Sequence, residues 1–243
     1  MPLLDHFHPP SSDLLPWDTL HSSWATRIAD TLNERWLPPE FLACEHTHVG
    51  PHIEIDVATF ERGGGTRPSG NGGPVATLPQ TWTPPEVACA VPLLFPDSFE
   101  VRVYAGPGGW QLVGAVELIS PRNKDRPEAR QAFAAKCASY LHQGVSVVLL
   151  DVITNRRANL HNDVLRLVNV SDERAFLPDD VSLYAAAYRP VLRDNQPGCD
   201  VWRQPCSLGE SLPVLPLRLT GDLFVPVDFE AAYTETCRRR RIL

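Results

Sequence analysis

A chain of 243 residues, 43% hydrophobic and 21% charged, can bury the core of one ordinary globular domain. It has no apolar run long enough to span a bilayer, and residues 1–16 have no Lys or Arg and no apolar h-region, so neither a membrane span nor a signal peptide is expected. The formal net charge of −7 argues against tight unassisted binding to nucleic acid, which generally uses a basic surface.

The six cysteines form no CxxC pair, and several sit in apolar stretches where a thiol behaves as a small hydrophobe. A reduced, cytoplasmic chain is the expectation, with a Cys199–Cys206 disulfide as the alternative. The only dense basic run, Arg238–Arg241, reads as a solvated tail.

In chain order, residues 17–36 predict an amphipathic helix, with Leu20, Trp24, Ile28 and Leu32 at near-helical spacing and Pro38-Pro39 as its stop. Residues 41–49 and 52–60 predict two strands joined by a Gly50-Pro51 turn. In the second, His52, Glu54 and Asp56 share the polar face. Residues 61–85 are rich in Gly, Pro, Ser and Thr and read as a surface loop, and 86–95 as a short strand. Residues 99–105 and 111–119 predict a hairpin around Gly106-Pro107-Gly108-Gly109. Residues 127–142 predict a helix, with Pro127 in its first turn and Gly144 past its end. Residues 145–153 are almost continuously apolar and predict a strand buried on both faces. Beyond Arg157 the pattern weakens. A strand at 181–187, an extended Leu212–Leu219 and a closing helix at 228–239 with Asp228 near its N-cap are expected. The order implies a mixed α/β sheet with helices packed on it.

Three features point to chemistry. Glu117 lies within LVGAVELIS, with Val113, Ala115 and Ile119 assigned to its own face and Val116 and Leu118 to the other. A carboxylate buried there needs a cation, a metal or a proton. The alternative is a strand-end Glu that reaches solvent or a structural Arg. Asp56 by itself reads as a residue of a solvent-facing edge strand. Paired with Glu117 across neighbouring strands, it would complete a hard-oxygen site suited to Mg²⁺ or Mn²⁺. Of 22 basic residues only Lys124 and Lys136 are lysine, and both follow Glu117 within twenty positions. Lys136 falls inside the apolar arc of its helix, defined by Phe133, Cys137, Tyr140 and Leu141, which aims its ammonium along the sheet unless it snorkels to the edge. Lys124 lies in the loop just past the Glu117 strand, where reactive groups gather. Asp151, at the end of the buried strand, is either an outer ligand or a cap. His46, His48 and His52 do not make a zinc set, since no CxxC accompanies them and His52 lies beyond a turn. There is no GxSxG, and the Gly-rich stretches do not precede a Lys-Ser/Thr helix.

The segment Val113–Asp151, with Glu117, Ser120, Pro121, Asn123 and Lys124 as a Glu-x-x-Ser-Pro-x-Asn-Lys motif, resembles the bacterial family termed domain of unknown function 4058. The ending, Leu212-Pro213, Pro216-Leu217, Asp228-Phe229 and Tyr233, resembles that family too. The arrangement is similar to Uma-type endonucleases and, more distantly, to the PD-(D/E)XK nuclease superfamily. That resemblance implies one restriction-endonuclease-like domain over 1–243, with an insertion at about 61–98 and a C-terminal extension from about 158. It also implies a metal-dependent nuclease in which Asp56 and Glu117 hold the metal and a lysine serves the attacking water. The superfamily's lysine stands two residues after the Glu; here position 119 is Ile, so Lys124 or Lys136 takes the role or hydrolysis is lost. Nucleic acid is the implied partner, and pairing of two copies is expected of such folds. A non-catalytic binding or accessory protein on the same scaffold is the other reading.

Overall fold

The computed structural model describes residues 1–46, 55–62, 82–92 and 110–242; for His46, residues 55–62, residues 90–92 and Trp110 it describes the backbone alone. Helix α1 (Ser11–Leu14) leads into α2 (Trp17–Thr31), whose Leu20, Trp24 and Ile28 are buried at the spacing the sequence predicts. Its last turn widens into a π-helical turn, Leu32–Trp36, so the helix ends where expected but on a different hydrogen-bond ladder.

Strands β1 (Phe41–His46) and β2 (Ile55–Arg62) pair antiparallel, as predicted; their expected Gly50-Pro51 turn lies outside the described residues, as does most of the 61–85 loop. Strand β3 (Cys89–Pro92) falls within the predicted 86–95. Strand β4 (Trp110–Leu118) pairs with β2; the first arm of its predicted hairpin, 99–105, lies outside the described residues. A one-turn helix α3 (Pro121–Lys124) precedes α4 (Pro127–His142), which matches its predicted bounds. Gly144, at φ 79°, ends α4: the N–H groups of Gly144 and Val145 donate to the carbonyls of Leu141 and Tyr140. This reversal sends the chain straight into β5 (Ser146–Asp151), buried along its whole length.

The weakly patterned remainder also forms regular helices and strands. Helix α5 (Leu160–Leu167) is capped by Asn159, whose side chain accepts from the Asn162 N–H. Strands β6 (Tyr184–Arg193) and β7 (Gln196–Pro205) form a long hairpin around Asp194-Asn195, both at positive φ. Strands β8 (Val214–Arg218) and β9 (Phe224–Asp228) make a second hairpin, and α6 (Phe229–Arg239) closes the chain with Asp228 as its cap.

The main sheet runs β1-β2-β4-β5-β6-β7-β3, with β4 and β5 parallel and its other pairs antiparallel. This is the mixed α/β sheet flanked by helices that the sequence implies. The segment from about 158, expected as an extension, supplies β6 and β7 to that sheet, and β3 joins its edge. One face carries α2, α6 and the β8–β9 hairpin through Trp24, Ile28, Leu217, Phe229 and Tyr233. The other carries α4 and α5 through Phe133, Cys137, Leu141, Leu160 and Val164. Among the described residues no helix is long and apolar enough to cross a membrane.

Gly114 decides how closely the second hairpin sits on the sheet. A Cβ there would lie 3.0 Å from Cδ1 of the fully buried Leu217. Gly114→Ala should therefore lower stability by about 1–3 kcal/mol through overpacking, read as a shift in urea midpoint at unchanged slope. A midpoint equal to that of the parent would show that the contact is not tight.

Candidate active site at the ends of the central strands

The last turn of β4 brings Glu117 into the layer beneath α4. Ala115 and Ile119 share its face, as the alternation requires. Val113 does not, contrary to the sequence assignment: it packs with Val116 and Leu118 on the opposite face. The reason is a bulge. Thr59 opposes Gly114 while Phe60 opposes Leu112, so Val113 is the extra residue and the alternation slips there.

Glu117 is 2% exposed. It did not become a solvent-reaching strand end, and a lysine meets it: Lys136 Nζ donates to Oε2 at 2.8 Å. The Lys136 side chain is 9% exposed and its ammonium also lies 5.2 Å from the Phe133 ring centre. Position 136 reaches Glu117 because it lies within the sheet-facing arc of α4, between the buried Phe133 and Cys137.

Asp56 lies on β2, which pairs with β4 through Val57↔Val116 and Ala58↔Ala115. The next step of that register sets residue 56 across from residue 117. The side chain of Asp56 lies outside the described residues, as do His48, His52 and the side chain of His46. Among the described residues no three His, Cys, Asp or Glu side chains converge on a common point.

Lys124 goes elsewhere. Pro121 starts α3, and Asn123 folds back so that its Oδ1 accepts from both the N–H and the hydroxyl of Ser120, each at 2.9 Å. That tight turn drives Lys124 inward, where Nζ donates to Asp151 Oδ1 at 3.0 Å and Oδ2 at 2.8 Å. Both side chains are fully buried, so the position expected to be a reactive strand-end loop holds an interior ion pair. Asp151 also accepts from the Ile153 N–H at 3.1 Å, which makes it a cap of the strand end as well as the lysine's partner. Burial pushes its carboxyl up to about 6 despite Lys124, Ile153 and the Tyr184 hydroxyl.

The Ser-Pro-x-Asn-Lys half of the motif is thus a device for placing a buried ammonium. It leaves Lys136 as the lysine that approaches Glu117. Sequence reading took Tyr140 only as core. It lies one turn beyond Lys136, its buried hydroxyl has no hydrogen-bond partner among the described residues, and burial together with the Glu117 charge pushes its pKa well up. The i, i+4 spacing from Lys136 was the available signal. From the other face, His21 Nε2 donates to the Leu118 carbonyl at 2.8 Å.

The Lys124–Asp151 pair yields two expectations. Lys124→Met leaves a buried carboxylate without its cation and should cost about 3–5 kcal/mol, while Lys124→Met combined with Asp151→Leu should recover much of that loss. An unchanged deficit in the double variant would show that the pair is not the cause. Asp151 also titrates higher in the fold than its ordinary 3.8, so the folded chain holds that proton more tightly. The stability it contributes is full below about 4 and is lost as pH rises to about 6. Asp151→Asn should lack this slope in urea titrations, and a slope equal to the parent's would refute it. No protein-family model, curated protein or solved structure matches the chain.

Proposed function

We propose that the chain is a metal-dependent phosphodiester hydrolase acting on nucleic acid, on a restriction-endonuclease-like sheet related to the domain of unknown function 4058 family. The observation that carries this reading is the Lys136–Glu117 contact: a largely shielded ammonium and a buried carboxylate meeting near the carboxyl end of a central strand. Crevices at such strand ends are where open α/β sheets place their ligands.

The register of β2 against β4 supports Asp56 as the second acid. Two carboxylates fit Mg²⁺ or Mn²⁺, which are commonly held by one or two acids with waters and substrate phosphate completing the shell. Such an ion, when bound, supplies Lewis acidity and a bound water of lowered pKa. Lys136 would orient the attacking water and offset the negative charge that develops on the phosphoryl oxygens. It stands in for the lysine that Ile119 replaces. Lys124 would act indirectly, by holding Asp151 and the loop beyond β4 in place. The six free cysteines suit a reducing, cytoplasmic compartment, and pairing of two copies belongs to this reading.

A second reading, a binding protein that has lost hydrolysis, is favoured by two observations. Lys136 already supplies a cation to Glu117, and the chain's formal charge is −7. Calorimetric titration with Mn²⁺ separates the cases. The parent should release heat that Asp56→Ala/Glu117→Ala abolishes; equal heats from both proteins would remove the metal site. Nicking of plasmid DNA or cleavage of single-stranded RNA in Mn²⁺ should then fall at least about 100-fold in Lys136→Ala. Metal heat without cleavage would select the binding protein.

A further inference from the structure

At the opposite end of the sheet from Glu117 lies a groove of about 710 Å³. Its walls are the last turn of α4, the tip of the β6–β7 hairpin and the turn between β8 and β9. Three guanidinium groups line it: Arg189 and Arg193, four residues apart on one face of β6, and Arg218 at the end of β8.

Two of them are anchored. Arg193 Nη2 donates to the buried Asp200, and Arg189 Nη1 stands 3.7 Å from the same carboxylate. Arg189 Nη2 donates to Asp222 at 2.7 Å, and its guanidinium lies 5.0 Å from the Phe224 ring centre. Arg218 is held differently. Its Nε donates to the Gly221 carbonyl at 3.1 Å, while its two terminal nitrogens have no hydrogen-bond partner among the described residues. Three positive charges therefore face only two carboxylates. Burial first, and then the neighbouring Arg189 charge, pull the Arg218 pKa down against the opposing Asp222 carboxylate. The rest of the lining is mixed: His142, Gln143 and Asp222 are polar, and Val191 and Leu192, the latter at 76% exposure, are apolar.

We propose that this groove binds a phosphorylated small molecule of mononucleotide size. Its phosphate would accept from the free fork of Arg218 and from Arg193, and its apolar or planar body would lie against Val191, which stands between Arg189 and Arg193 on their face of β6. A guanidinium fork matches the spacing of phosphoryl oxygens. The volume falls in the range of small-molecule sites and exceeds what a lone phosphate fills. The site is distinct from the Glu117 end: Tyr188 already pairs with Val147 near the start of β5, and Arg193 lies five residues beyond it along β6.

The test is calorimetry on the full chain with three probes: AMP, inorganic phosphate and an octathymidylate without terminal phosphate. AMP should bind, and Arg218→Gln should weaken it about tenfold or more, with Arg218→Lys recovering part of the loss. Thermal unfolding of each variant verifies folding; should Arg218→Gln not fold, Arg193→Gln replaces it with the same expectation. Absence of AMP heat up to about 10 mM, or equal AMP affinity in parent and folded variant, would overturn the proposal. Phosphate binding as tightly as AMP would overturn the nucleotide-sized ligand. Octathymidylate binding with the same Arg218 dependence would instead assign the groove to a nucleic-acid backbone.

Discussion

Two carboxylates taken out of water set the terms for the rest of this molecule. Glu117 and Asp151 sit at the ends of β4 and β5, the parallel pair at the centre of the sheet, and both are essentially inaccessible. An isolated buried carboxylate costs several kcal/mol, so each end must receive a cation or surrender its charge. The chain delivers its only two lysines there. An ammonium is a compact point charge on a flexible stem and can thread between packed side chains, whereas a guanidinium fork would need more room and more acceptors. The arginines among the described residues stay at or near the surface, on pairs such as Arg156–Asp125 and Arg238–Glu235.

The connections between the central strands follow from those deliveries. Helix α3 exists to turn Lys124 inward, and Ser120, Pro121 and Asn123 are the residues that make so short a helix hold. Helix α4 crosses back over β4 with Lys136 on its inner face, then ends abruptly at Gly144 so that β5 can start beside β4. The β6–β7 hairpin extends the sheet, and the opposite face is closed by α2, α6 and the β8–β9 hairpin, which Gly114 lets approach. Its lower edge gathers arginines around a groove. The two lysines thus serve the buried carboxylates at one end of the central strands, and three arginines line a cleft at the other.

Much of this was legible in the residues. Helix α4, the buried β5, the antiparallel β1–β2 pair and the capped α6 followed from periodicity, caps and turn residues, since each is defined by contacts within a few positions. The strand expected at 181–187 overlaps the start of β6, but its run to Arg193 and its partner β7 were not read: Pro190, Pro197 and Gly198 interrupt the local strand pattern. They are tolerated because Pro190 and Pro197 lie toward the hairpin tip, away from the packed centre. The slip at Val113 escaped for a related reason: a bulge is defined against the partner strand, and period-two alternation assumes there is none.

The candidate site shows the same division. Local sequence marked Glu117 as a carboxylate in an apolar strand, and composition marked the two lysines as the residues to watch, because burial of charge depends on the residues around it. Which lysine meets which acid was a matter of tertiary structure alone. Lys124 is seven residues from Glu117 in the chain yet pairs with Asp151, 27 residues away, while Lys136 reaches back 19 residues to Glu117. Ion pairing depends on distance through space, and that distance is decided by where the α3 turn and the inner face of α4 fall against the sheet.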